Sequence, residues 1–251
     1  GNGVSMIIMA GIVSGLPTTF IDVFKTLVAD SSNAVGVIAY ILFILLYILI
    51  IIGVIYFEQS LRRIPIQYSN ITRAAYGAVN NFIPLKLNSA GVMPVILAGV
   101  MLSAPLTIIS FFGKEEFVNT IMKYLDSRTS PGIFIYIGLI ILFSYIYTFM
   151  QLKPEEFAKN LQKQNGYIPG VRPGIETEEY FSKVLKRLTF VGSLFLAFIA
   201  ILPTIFSRLT NLPSTADIGG TGLLIVVGVA LEFYKQIEGQ VAASRSYDLY
   251  R

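Results

Sequence analysis

Five stretches of this chain carry no Asp, Glu, Lys or Arg and are long enough to cross a lipid bilayer. They are Gly1–Ile21, Ser31–Phe57, Leu87–Gly113, Thr129–Leu152 and Leu188–Ser207, of 21, 27, 27, 24 and 20 residues. A helix needs about 20 mainly apolar residues to cover the hydrocarbon core. Residues 41–52, ILFILLYILIII, are the most apolar segment. A sixth stretch, Ile218–Leu231, has 14 charge-free residues and three glycines near its start. Hydropathy leaves it between a short span and a re-entrant segment. Only 14% of the 251 residues are charged, 54% are hydrophobic, and mean hydropathy is +0.68. A water-soluble globule with so few charges would expose large apolar patches. The expected fold class is therefore all-α, a polytopic helical membrane protein forming a single membrane domain over residues 1–251.

The charges between these stretches give the expected orientation. With six spans, Glu58–Lys86, Lys153–Arg187 and the tail from Glu232 fall on one side of the membrane. They hold four, seven and three Lys or Arg residues. The opposite loops hold five, namely Lys25, Lys114, Lys123, Arg128 and Arg208. Cytosolic loops carry the excess of basic residues. The richer side, with both ends of this chain, is expected in the cytosol. The spans are expected at about 4–24, 35–57, 89–112, 132–152, 187–206 and 219–236, with cytosolic loops at 58–88 and 153–186. Both loops are long enough to hold structure of their own. Pro17, Pro94, Pro105 and Pro203 fall in the spans, where proline removes a backbone donor and kinks a helix.

Composition also restricts the chemistry. The chain has no Cys and no His, which removes thiolate sites, the commonest zinc ligand and the commonest neutral-pH base. No Lys, Arg, Asp or Glu lies within the apolar cores, whereas ion-coupled carriers usually place an ionisable residue there. A secondary transporter, a class that also uses inverted repeats and broken helices, is disfavoured on this ground. An intramembrane carboxylate protease lacks the paired Asp residues it would need. No Gly-rich phosphate loop is present, so any driving energy comes from another protein. No cofactor is expected.

Three loop motifs stand out. Gln164–Gly174 reads QNGYIPGVRPG, with prolines and glycines around Arg172. Pro fixes φ and Gly allows positive φ, so a defined bend is expected with Arg172 near its apex. Nearby Glu155, Glu156, Glu176, Glu178 and Glu179 make this loop mixed in charge, unlike a nucleic-acid patch. Arg62 and Arg63 follow the second span directly, and Arg73 lies further along the same loop. Basic residues there can anchor topology through anionic headgroups or meet an acidic partner. Asn88 precedes a span and suits a helix cap.

Taken together, GNGVSMIIMAGIVSGLP (1–17), LRRIPIQY (61–68), IPLKLNSAGVMPVI (83–96), GYIPGVRPG (166–174) and GGTGLLIVVGV (219–229) resemble the SecY family. These motifs occur in the family's order over nearly the whole chain. The resemblance implies the channel subunit of the bacterial Sec translocon, with ten transmembrane helices in two inverted halves. This chain then corresponds to the fifth to tenth helices, the C-terminal portion.

Site residues follow from the resemblance. Val4, Ile8, Ile96 and Ile225 match the aliphatic ring that closes the pore. Asn88, Met93 and Ile96 match the lateral gate, through which apolar segments leave into lipid. Arg172, Arg73, Arg62 and Arg63 match the docking surface for SecA and the ribosome. The first loop holds only Arg73 at its tip, where the family often has several basic residues. Implied partners are SecE, SecG, the SecA ATPase, the ribosome, preproteins with signal sequences, and the lipid bilayer. The implied location is the bacterial cytoplasmic membrane. An aliphatic ring offers no fixed binding site, so polypeptide of any sequence can slide past it while a dry constriction limits ion leak.

Overall fold

The computed structural model describes residues 3–29, 34–68, 81–112, 124, 129–210, 222, 225–238 and 241. Two long apolar helices come first. Helix α1 (Gly3–Phe24) runs into a π-helical turn, Lys25–Ala29, and α2 spans Ala34–Gln59. Ser14, Thr18 and Thr26 turn their hydroxyls back onto the carbonyls of Gly11, Gly15 and Asp22 at 2.8, 2.7 and 2.8 Å. These polar groups are thus satisfied inside their own helix and need no water. Along α2, Ile38, Ile41, Leu45, Leu49 and Ile52 are exposed while Phe43, Tyr47, Ile50 and Val54 are buried. Its outward face is as apolar as its inward one, which suits lipid and not water.

The loop after α2 folds into β1 (Leu61–Tyr68) and β2 (Asn81–Lys86), an antiparallel pair with Ile64 opposite Ile83. The two-residue strand β3 (Gly166–Tyr167) adds to the other edge of β1, giving the order β2-β1-β3. Sequence periodicity did not lead us to expect this sheet. Only Ile64 and Ile66 of β1 alternate as buried residues, too short a pattern beside the long apolar runs.

Helix α3 (Met93–Phe112) contains Pro105, and α4 (Ser130–Gln151) has Pro131 as its second residue. Thr129 caps α4, its hydroxyl accepting the Gly132 N–H at 3.3 Å. Pro94 was expected to kink a span, but it is the second residue of α3. There the missing N–H would have had no helical partner. On α4, Gly132, Tyr136, Ile140, Ser144 and Thr148 form one buried stripe at a spacing of four. That stripe accounts for close packing against α3 and α6.

Helix α5 (Pro154–Lys163) is short and charged. Ala158 and Leu161 face inward, while Lys153–Glu156 and Lys159–Glu155 pair on its outer side. Helix α6 (Ile175–Thr210) has 36 residues, about 54 Å at the usual helical rise, far longer than a hydrocarbon core of about 30 Å. It belongs to two hydrophobic clusters. Its first half, through Phe181, Val184, Leu185 and Leu188, packs with Ile64, Ile66, Leu85 and Leu161 beneath the sheet. Its second half, through Leu196, Ile199 and Ala200, joins Phe43, Ile50, Val95 and Ile140 in the core between the apolar helices. Phe57 of α2 stacks on Phe195 of α6 at 3.9 Å between centroids. Residues 225–238 form the last described helix, α7.

Among the described residues, four helical segments are long and apolar enough to cross a membrane: Met6–Val28, Gly36–Gln59, Ser130–Lys163 and Ile175–Leu209. Met93–Ile109 is a shorter apolar helix. The chain is a multi-pass helical membrane protein.

Candidate functional site

The aliphatic residues singled out in the sequence come from three helices. Val4 and Ile8 lie on α1, Ile96 on α3 and Ile225 on α7. Ile225 is buried, and Ile8 and Ile96 are half-buried against the same hydrophobic cluster. Residues more than 200 positions apart thus share one extended hydrophobic cluster, which also takes in Phe43, Ile140 and Leu196.

The start of α3 is a built polar site. Asn88 is 5% exposed, and its Nδ2 donates to Glu58 Oε1 at 2.6 Å and to the Gly91 carbonyl at 3.0 Å. It does not cap α3, which begins five residues later, and its amide donates where a cap would accept. Gly91 has φ +65°, which turns the chain into the helix. Lys235 Nζ of α7 lies 3.4 Å from the Glu58 carbonyl and donates to it. Around these groups is a cavity of about 200 Å³, also lined by Lys86, Met93, Tyr147 and Glu232. Gly228 of α7 presses on Val92 so closely that no Cβ could be accommodated without movement. The backbone before Asn88 is fixed as well. The Leu87 carbonyl abuts Gly192 of α6, where a Cβ would sit 2.9 Å from the oxygen.

The cationic candidates sit on the sheet and its adjoining loop. Arg62 and Arg63 are exposed on β1, and the Arg63 guanidinium lies 4.7 Å from the Phe82 ring centroid. Arg73 lies outside the described residues. The loop carrying Arg172 has the expected defined bend, with φ of +83° at Gly170 and +106° at Gly174. Both conformations favour glycine. The Arg172 side chain is 88% exposed, with its guanidinium 3.9 Å from the Glu176 carboxylate. Its main chain is held at both ends. The Arg172 N–H donates to Glu176 Oε2 at 3.4 Å, and Thr177 Oγ1 donates to the Arg172 carbonyl at 2.8 Å. Tyr167 donates its hydroxyl to Gln67 Oε1 at 2.9 Å, tying this loop to β1. Arg62, Arg63 and Arg172, which come from separate loops, therefore belong to one sheet-centred unit.

Sequence reasoning missed Glu58, Lys235 and Thr177. Glu58 was visible only as the first charge after a 27-residue apolar run. Nothing local in the sequence pairs it with an amide thirty residues away. Thr177 had a weak local signal, a hydroxyl in the first turn of a helix after a glycine-proline bend.

Comparison with known proteins agrees with this architecture. The SecY family model matches residues 1–234. The SecY translocase subunit of Bacillus subtilis is 47% identical over 251 residues, covering 98% of this chain and 58% of the relative. That of Staphylococcus aureus is 44% identical over 244 residues, covering 96% and 57%. The chain thus spans somewhat over half the length of these relatives. Two solved structures share the fold. One, reported for a SecY plug domain that stabilises the closed translocation channel, has a TM-score of 0.61 at 22% identity, covering 94% of this chain and 59% of that one. The other, reported as a protein-conducting channel, has a TM-score of 0.65 at 21% identity, covering 94% and 58%. Motif order, helical membrane architecture and a family match over nearly the whole length converge on one conclusion: the chain belongs to the SecY family.

Proposed function

We propose that this chain is the C-terminal portion of the channel-forming subunit of a Sec translocon. In this reading it contributes to a conduit through which unfolded preproteins cross the bacterial cytoplasmic membrane, and from which membrane segments leave sideways into lipid. It does no catalysis. SecA or the ribosome supplies the drive, and SecE and SecG are the membrane partners. Six spans, at about 4–24, 35–57, 89–112, 132–152, 187–206 and 219–236, put both ends of the chain in the cytosol. Arg62, Arg63, Arg73 and Arg172 form the docking surface, and Asn88, Met93 and Ile96 belong to the gate.

One observation carries the reading: Ile8, Ile96 and Ile225, from three separate helices, all belong to or pack against one extended hydrophobic cluster. In the family's channels the ring is the narrowest point. Aliphatic side chains there exclude water when closed and offer a moving chain nothing specific to bind. The proposal has a direct test in the full-length protein. Ile96→Asn or Ile225→Asn places an amide in the cluster. Either is expected to raise resting ion conductance and to permit export of proteins with defective signal sequences. Native values of both quantities in both variants would refute the ring.

A further inference from the structure

We propose that the outward face of the sheet receives an acidic, partly apolar segment of the docking protein, with Phe82 and Tyr167 as anchors and Arg63 as the charge contact. This rests on the docking reading above and names the side chains of that surface that make the contact.

The alternation of the strands sorts their side chains. On β1, Ile64 and Ile66 are buried, while Arg63, Pro65 and Gln67 are exposed. On β2, Leu85 is buried, while Phe82, Pro84 and Lys86 are exposed. The register sets Arg63 opposite Pro84 and Pro65 opposite Phe82, and β3 sets Tyr167 opposite Gln67. Opposed residues of an antiparallel pair project to the same face. These six therefore share the face turned away from the cluster that Ile64, Ile66 and Leu85 form with α6. Arg62 has the parity of Ile64 and Ile66, so it belongs to the other face.

The solvated face of an antiparallel sheet is normally polar. Here Phe82 is 46% and Tyr167 37% exposed, and Pro65 and Pro84 add two more apolar rings. No Asp or Glu occurs on the three strands. Arg63 has no carboxylate within ion-pair distance among the described residues. Lys86, at the membrane end, borders the cavity that also holds Glu58, which leaves Arg63 as the uncompensated charge. An aromatic face with a cation and no acid complements an acidic segment that carries apolar side chains. A nucleic-acid surface would need a denser array of cations. The groups are also ordered in advance. The Arg63 guanidinium lies on the Phe82 ring, 4.7 Å from its centroid, and Tyr167 donates to Gln67 Oε1 at 2.9 Å. Proline rings have no rotamers to lose. An occupant therefore immobilises little that is not already held. Tyr167 lies five residues before Arg172 in the same loop, so the face continues into the docking loop.

The test reads binding of purified SecA, the motor of that reading, to the full-length channel in nanodiscs without preprotein. Phe82→Ala is expected to weaken binding by about tenfold, as loss of an aromatic anchor does, while Phe82→Tyr keeps a ring and stays within about twofold. Arg63→Glu should weaken binding more than Arg63→Ala, and Arg63→Ala should flatten its salt dependence. Arg62→Ala, on the other face, should stay within about twofold of native.

Native binding in Phe82→Ala and Arg63→Glu, where Arg172→Glu no longer binds, overturns the sheet face and leaves the docking reading standing. Native binding in Arg172→Glu as well removes that reading. Equal losses from Arg62→Ala and Arg63→Ala overturn the proposal, since a contact confined to one face distinguishes them. Weakened ribosome binding with native SecA binding overturns the acidic protein segment in favour of RNA. If Phe82→Ala fails to accumulate in the membrane, Arg63→Glu decides the matter, and native binding in that variant overturns the proposal.

Discussion

Thr177→Val probes how Arg172, the proposed docking residue, is aimed. The Arg172 guanidinium is 88% exposed, and its partner carboxylate is 3.9 Å away, so that ion pair contributes little to its position. What fixes Arg172 is its main chain. The Thr177 hydroxyl bonds its carbonyl at 2.8 Å, and Thr177 is only 1% exposed, on the first turn of α6. Valine keeps the shape but loses the donor. The net loss is about 1 kcal/mol, the usual worth of one neutral hydrogen bond, and it corresponds to roughly a fivefold drop in the aimed conformation. Preprotein export by reconstituted full-length channels, followed against motor concentration, gives the assay. Thr177→Val is expected to raise the half-saturating motor concentration by about fivefold and leave the maximal rate close to native. Thr177→Ser retains the hydroxyl and should stay within about twofold. An unchanged half-saturation in Thr177→Val, under conditions where Arg172 itself is essential, would refute the reasoning. The main-chain clamp would then have no bearing on docking.

Two further outcomes are expected. Arg172→Glu should cripple preprotein export while membrane insertion of the channel stays intact, since the side chain projects into solvent and supports no buried structure. Near-native export would remove its docking role. Phe181 is 1% exposed and stacks on Phe157 at 3.9 Å between centroids, so Phe181→Ala opens a cavity beneath the sheet worth about 3–5 kcal/mol. Limited proteolysis of membrane vesicles should then cut within residues 153–187 well before the native protein is cut. Equal protease resistance would show that this cluster does not stabilise the loop.

Much of the architecture was legible because a bilayer imposes a one-dimensional rule. A helix in lipid satisfies its own backbone, so an uncharged run of sufficient length nearly specifies itself. The bend around Arg172 was legible for a similar local reason, since Gly170 and Gly174 take φ values that few other residues tolerate. Helix boundaries were less accessible. The apolar run begins at Leu188, but α6 begins at Ile175. Charge marks where lipid ends, and helical hydrogen bonding continues past that point into an amphipathic segment.

The sequence by itself determined the membrane class, the mixed charge of the loops, the aliphatic residues and the turn chemistry. All of these depend on side-chain type within a short window. Tertiary structure alone decided that β3 joins β1 across about a hundred residues, as Gln67 meets Tyr167. It alone decided that Asn88 is committed to Glu58 and does not cap its helix. The same is true of the place of Ile8, Ile96 and Ile225 in one extended hydrophobic cluster. Such pairings arise from the packing of whole helices and strands, whose energy is spread over many contacts. Each partner's own neighbourhood in the chain therefore carries almost no trace of them.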